Sequence, residues 1–294
     1  MTKIITSPIR WSGSKRKIIK HILPLIDDNK DCYVEPFLGS GTMLINILSK
    51  NNYKKYYVND INSDLINFFT QLKEFPISLV EQISDISENY NSFSEMERKK
   101  DYFYSIRTYY NSEQMNKITR AALFWFLTKT CFNGVYRINN SGKYNVPFGR
   151  KENANFDPEL FFRISNMISN VSFYNVDYLE FLRILNYEKL LKNSFIYLDP
   201  PYVPETSQTQ RQKIYTSKFF EHERFIDFID VICNNPDLSL MISMSDSHYS
   251  QLLYDNLTLN KRKVVDIIRV VNPNALLSSA EIIYTNYTKE ISLM

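Results

Sequence analysis

Cys32-Tyr33-Val34-Glu35-Pro36-Phe37-Leu38-Gly39-Ser40-Gly41 opens as a short apolar strand and passes into an acidic turn holding two glycines. Residues 42–48 then carry helical periodicity, with Leu44, Ile45 and Leu48 on one face. A second apolar run, Tyr56-Tyr57-Val58, ends in Asn59-Asp60, and residues 63–72 read as another helix. Strand, glycine turn, helix, strand and terminal acid make the first half of a nucleotide-binding α/β unit. The glycines let a ligand approach the backbone closely where a helix begins. The third glycine of the dinucleotide fingerprint is missing, and no lysine follows as in a phosphate-binding loop. A nucleoside without phosphates is therefore favoured over NAD or ATP. Asp60 stands where a carboxylate bonds two ribose hydroxyls; its other reading is a cap for the helix that follows.

The same rhythm resumes late in the chain. Candidate strands fall at 171–174, 195–198, 238–243, 263–268 and 281–287, with helices at 178–184, 221–233 and 248–254. No helical pattern separates the last two strands, so an antiparallel pair at the sheet edge is expected, joined around Asn272-Pro273-Asn274. Between about 73 and 170 the character changes to helical, aromatic and charged, with periodic segments around 102–110 and 118–130. Asn133-Gly134-Val135-Tyr136-Arg137 and the turn residues after it read as a hairpin tip, closed by Asn145-Val146-Pro147-Phe148-Gly149-Arg150. Near the N-terminus, Arg10-Trp11-Ser12-Gly13-Ser14-Lys15 reads as a loop opening a helix, with Ser12 or Ser14 as its cap. The organisation is one α/β domain interrupted by a helical insertion.

Composition sets outer limits. At 294 residues with 44% apolar side chains the chain can bury a sizeable core, and 35 basic against 32 acidic residues leave a net charge of +3. That balance permits a nucleic-acid partner only if the basic residues cluster. Three widely spaced cysteines give neither a metal-ligand pattern nor a disulfide framework, so no metal is expected and a reducing cytoplasm is the simplest setting. No stretch approaches the ~20 apolar residues that cross a bilayer, and no apolar signal-peptide core is seen.

The chemistry is expected at Asp199-Pro200-Pro201-Tyr202, directly after the apolar run 195–198. The prolines fix φ and remove two backbone donors, and a residue before proline is pushed to extended geometry. The Asp199 carboxylate and the Pro200 carbonyl can then hold a planar exocyclic amino group, while the Tyr202 ring stacks on the attached base. A tight turn with a surface acid is the plain alternative.

Taken in order, these segments resemble the DNA-adenine methylase (Dam) family, site-specific N6-adenine DNA methyltransferases of the D12 class that use S-adenosylmethionine. Arg10 to Lys15 is similar to its N-terminal cofactor motif, Glu35 to Gly41 to its glycine motif, and Asn59-Asp60-Ile61-Asn62-Ser63-Asp64-Leu65-Ile66 to its ribose segment. Asn133 to Asn139 and Asn145 to Arg150 resemble its target-recognition hairpin, and Asp199 to Tyr202 its catalytic motif.

The resemblance implies a Rossmann-like α/β fold with a mixed seven-stranded sheet. Residues 1–72 and 168–294 would be the cofactor-binding catalytic domain, and 73–167 a mainly helical target-recognition domain carrying a β-hairpin. It also implies roles. Trp11, Gly13 and Lys15 would pack on and bond the cofactor, Lys15 near its carboxylate. Phe37, Gly39 and Gly41 would line it, Asp60 would hold the ribose, and Asp177 and Tyr178 would meet its adenine. Asp199, Pro200 and Tyr202 would hold the target adenine, flipped out of duplex DNA. Arg10 and Arg137 would read guanines, and Val135 and Pro147 would touch a thymine methyl. Phe132, beside Asn133, would wedge between base pairs or pack under the preceding helix. Tyr215, Lys218 and Phe219 would order over the substrate. GATC is the implied target, although Val135 and Ile138 stand where the commonest pattern has Leu and Tyr. The free protein is expected to be a monomer. Three competing readings are methylation of another planar amino group (RNA adenine, cytosine N4 or a protein glutamine), a non-catalytic DNA-binding regulator, and a bifunctional restriction enzyme.

Overall fold

In a computed structural model, residues 4–112, 115–202, 220–255, 257–272 and 275–289 are described. Tyr215, Lys218 and Phe219 lie outside them. Seven strands form one sheet: β1 (Cys32–Glu35), β2 (Lys55–Asn59), β3 (Val171–Tyr174), β4 (Ser194–Leu198), β5 (Leu238–Ser245), β6 (Asn260–Asn272) and β7 (Ala275–Thr285), in the spatial order β3-β2-β1-β4-β5-β7-β6. The first five are parallel, and β7 runs antiparallel between β5 and β6. The expected antiparallel edge pair is present. β1, β4 and β5 are buried along their whole length, the serines of β5 and Glu35 of β1 included, so no in–out alternation of burial marks them. This is the mixed, Rossmann-like sheet of a methyltransferase fold.

The helices are α1 (Ile19–Ile22), α2 (Thr42–Leu48), α3 (Ser63–Glu74), α4 (Pro76–Ser92), α5 (Met96–Tyr110), α6 (Lys117–Thr130), α7 (Pro158–Met167), α8 (Tyr178–Tyr187), α9 (His222–Ile232) and α10 (His248–Tyr254). Local chemistry sets several starts. Asn62, Asn116, Asp157 and Asp177 each accept a backbone N–H two or three residues on, and Pro158 occupies the first turn of α7. Ser14 departs from expectation. It precedes a 3₁₀ turn, Lys15–Lys17, without capping it, because its hydroxyl bonds Thr42 Oγ1 at 3.0 Å instead. The helical character of residues 73–170 does not by itself delimit α4 and α7.

One apolar core lies on each face of the sheet. The first runs without a break from α2 and α3 through α4 and α6 to Tyr136, Tyr144, Val146 and Phe148 of the hairpin segment. Phe124 shows the continuity: its ring lies 6.0 Å from Trp11, 6.2 Å from Phe68 and 5.7 Å from Tyr136. The inserted helices thus pack directly on the nucleotide-unit helices. The second core is covered by α8, α9 and α10. The hairpin is less regular than expected. Two isolated antiparallel bridges, Cys131 with Phe148 and Ile138 with Tyr144, replace a continuous ladder. Asn111 substitutes for a partner strand: its side chain accepts from Tyr144 N–H at 2.8 Å and donates to Tyr144 O at 2.9 Å.

Candidate active site

The chain changes direction across the sheet between β1 and β4, and ligands of open α/β sheets sit beyond the carboxyl ends of the strands at such a switch. There β1 delivers Glu35 and the glycine turn, β2 ends next to Asp60, β3 leads to Asp177 and Tyr178, and β4 ends at Asp199. Asp60 organises the turn. Its carboxylate accepts from Gly39 N–H and from Asn62 N–H, each at 2.9 Å. Burial pushes its pKa from 3.8 up to about 6, against those two bonds. Asn59, fully buried, ties neighbouring loops together. Its amide donates to Pro36 O at 3.1 Å and Val176 O at 3.0 Å, and its oxygen accepts from Val176 N–H at 3.0 Å.

The two glycines of the turn do different things. A Cβ on Gly39 would meet only Trp11, at 3.7 Å, whereas one on Gly41 would sit 2.7 Å from the Phe69 ring. Gly41 also has a φ of 69° as it enters α2. Its lack of a side chain is thus explained by α2–α3 packing. The N-terminal motif is fastened over this turn: Ser7 Oγ donates to Ser40 O, and Ile5 and Asn46 exchange bonds at 2.9 Å. Gly13 is exposed. Trp11 stacks on Tyr136 with centroids 5.7 Å apart. On the opposite side of the turn, Phe37, Tyr178 and Phe220 form a three-ring cluster with centroids 5.3–5.7 Å apart. Asp177 is exposed and caps α8 through Leu179 N–H.

At the end of β4, Lys15 Nζ lies 2.6 Å from Asp199 Oδ1 and donates to Tyr202 OH at 2.7 Å. Its third neighbour is Glu281 Oε1 on β7, at 3.4 Å. Glu281 is fully buried and accepts from Tyr202 OH at 2.5 Å and Ser243 Oγ at 2.7 Å. Burial alone would lower the Lys15 pKa; facing Asp199, Tyr202 and Glu281 hold it well above 10.5. Tyr202 is raised by burial, partly offset by Lys15, and stays a phenol. Glu35 is also raised well above its ordinary value by burial, with Asp199 and Asp60 adding to the effect. An amine held at Asp199 would therefore face acids and one ammonium. The glycine turn, the three-ring cluster and the acids at the strand ends suit a cationic nucleoside such as S-adenosylmethionine.

The candidate recognition residues lie on the far side of Trp11. Phe132 is 55% exposed, so it is not a core residue under the preceding helix. Asn133, Arg137 and Pro147 are exposed, and Val135 is half-buried. Asn145 Oδ1 fixes the Arg137 guanidinium at 2.8 Å. The Arg10 side chain presses on Gly134, whose Cβ would lie 2.7 Å from Arg10 Cγ. Beneath them is a cluster that the sequence did not reveal. Buried Asp64 of α3 accepts from Tyr110 at 2.5 Å, Tyr136 at 2.7 Å and Arg120 Nη2 at 3.0 Å. Glu281, Ser243, Phe220 and Asp64 were all missed; only Asp64 fell in a motif already singled out.

Among the described residues no group of three or more His, Cys, Asp or Glu side chains is arranged to hold a metal ion, and no helix is long and apolar enough to cross a membrane. The family model for D12 class N6 adenine-specific DNA methyltransferases matches residues 11–270. A type II methyltransferase of Methanocaldococcus jannaschii is 34% identical over 223 residues, 73% of this chain and 75% of that protein. A type II methyltransferase of Lactococcus lactis subsp. cremoris is 30% identical and covers 95% of this chain and 94% of its own length. A DNA adenine methylase of Haemophilus influenzae is 26% identical, covering 87% and 85%. With its glycine turn, acidic strand ends and Asp199-Pro200-Pro201-Tyr202 corner on one edge of the sheet, the chain belongs to the D12 class of N6 adenine-specific DNA methyltransferases.

Proposed function

We propose that the enzyme methylates N6 of an adenine flipped out of duplex DNA, within GATC. Residues 73–167 act as the target-recognition unit, and the rest as the catalytic unit. The observation that carries this is the position of Asp199 and Pro200 at the end of β4, beside the Asp60-braced turn of β1. The adenine amine donates its two hydrogens to the Asp199 carboxylate and the Pro200 carbonyl. Those acceptors draw the nitrogen toward tetrahedral geometry and aim its lone pair. S-adenosylmethionine, when bound, supplies the electrophilic methyl. Asp199 stabilises the nitrogen as it becomes positive and is within reach of the proton it then sheds. Holding amine and donor in line supplies several kcal/mol, up to about 7–11 in the best-oriented cases.

Extruding the base costs a few kcal/mol of stacking and pairing. Exposed Phe132 supports insertion into the gap, and Tyr202 stacks on the flipped base. Trp11, Phe37 and Gly39 cradle the cofactor, Asp60 takes its ribose, and Asp177 with Tyr178 meets its adenine. Asn145-fixed Arg137 reads a guanine edge, Arg10 reads the first guanine, and Val135 and Pro147 contact a thymine methyl. The test is incubation with labelled S-adenosylmethionine and duplexes carrying GATC or single-base variants, followed by location of the label. Label on adenine N6 in GATC, lost with Asp199→Ala while cofactor binding persists, is expected. Label on another base or on no duplex would overturn the reading.

A further inference from the structure

Lys15 sits where an amine is needed. Its ammonium donates to the same carboxylate, Asp199 Oδ1, that is assigned to the substrate amine, and also to Tyr202 OH. Asp199 is the open end of the group, with its side chain 21% exposed; Lys15 and Glu281 lie beneath, at 5% and 0%. A second carboxylate under a lysine that already has one is costly unless it serves some purpose. Tyr202, Ser243 and Lys15 all approach Glu281, and of these the Lys15 approach, at 3.4 Å, is the slack one. Closing that gap to the about 2.8 Å of an ammonium–carboxylate bond needs well under an ångström of movement.

We propose that Lys15 is a place-holder for the target amine and that Glu281 is the positioning residue to which it withdraws when the adenine arrives. This rests on the assignment of Asp199 to adenine N6. An ammonium left on Asp199 would stand beside a nitrogen that gains positive charge during transfer, and like charges a few ångströms apart repel strongly in a partly buried site. Withdrawal to Glu281 lessens that repulsion, loosens the ammonium's hold on the Asp199 carboxylate, and keeps Tyr202 braced from below. Without an incoming base, Lys15 keeps Asp199 and Tyr202 in their working positions.

The test compares wild type, Glu281→Gln, Glu281→Asp, Lys15→Met and the Lys15→Met/Glu281→Gln double variant. Steady-state kinetics use the duplex that the wild type methylates, S-adenosylmethionine binding is measured separately by calorimetry, and melting curves check folding. Glu281→Gln leaves Lys15 with Asp199 as its remaining carboxylate, so kcat/KM for DNA should fall by about tenfold or more, as for loss of a buried charge partner. Removing the ammonium as well should restore much of that loss, and Glu281→Asp should exceed Glu281→Gln. A double variant no better than Glu281→Gln, or a Glu281→Asp no better than it, overturns the proposal. Wild type that labels no adenine would instead sink the assignment of the reaction itself.

Discussion

Replacing Asp60 by Asn should change stability in a way that depends on pH, and the size follows from its surroundings. The carboxyl titrates near 3.8 when exposed and at about 6 in the fold, where burial outweighs the bonds from Gly39 and Asn62. A folded pKa above the unfolded one means stability that is complete below about pH 4 and lost as pH rises through 6. A shift of about two units corresponds to roughly 3 kcal/mol of penalty once the group is ionised. About 1 kcal/mol of it is already present at pH 4.5, so about 2 kcal/mol develops between pH 4.5 and 8. Asn carries no such penalty, but its NH₂ must face one of the two backbone N–H groups, at about 1–3 kcal/mol independent of pH.

Asp60→Asn should therefore be less stable than wild type at pH 4.5, by up to about 2 kcal/mol, and at pH 8 as stable or more stable, by up to about 2 kcal/mol. Urea unfolding of both proteins at four or five pH values measures the difference directly. A stability gap that stays flat from pH 4.5 to 8 would refute the reasoning. The ribose role proposed for Asp60 is best served by the ionised acid, so on that proposal wild-type affinity for S-adenosylmethionine should tighten as pH rises through 6. The variant should bind about 10–100-fold more weakly at pH 8, the worth of one or two charge-assisted bonds.

Other consequences attach to the recognition side. A Cβ at Gly149 would lie 2.2 Å from Cys131 O, so Gly149→Ala must break the Cys131–Phe148 bridge; DNA affinity should drop in a gel-shift titration while calorimetric cofactor binding persists. Asp64→Asn strips the charge from a site facing Arg120, Tyr110 and Tyr136, and denaturant unfolding should register a loss of about 3 kcal/mol or more. Arg137→Ala should cost about 1–3 kcal/mol of discrimination at a single base pair and leave turnover on the best site nearly intact, as competition between labelled duplexes can read.

The legible part of this protein was whatever is local. β1, β2 and β4 are short apolar runs closed by acids or glycines, and their ends, Asp60 and Asp199, declare themselves because an acid after a buried strand has few plain reasons to be there. The hairpin is visible through Asn and Gly, yet its irregular pairing is not, since Asn111, just past the end of α5, replaces strand bonds from 33 residues away in sequence. Gly41 has a packing reason that its motif did not show. A glycine beside a ligand loop and one under a phenylalanine look alike until Phe69 is seen to fill the space.

Glu281 was hidden for a stronger reason. Read along β7, it precedes the apolar Ile282 and Ile283 and passes for a polar residue at a strand start. Its burial depends on register: it pairs with Ser245 at the carboxyl end of β5, and that places it under Tyr202 and beside Lys15, 266 positions earlier in the chain. A buried carboxylate is tolerated only where distant donors converge, and those donors come here from the N-terminal loop, the β4 corner and β5. No window of sequence contains that convergence. Sites built at strand ends of an α/β sheet therefore advertise their first acid locally and conceal the second, because the second is stabilised only by the assembled sheet.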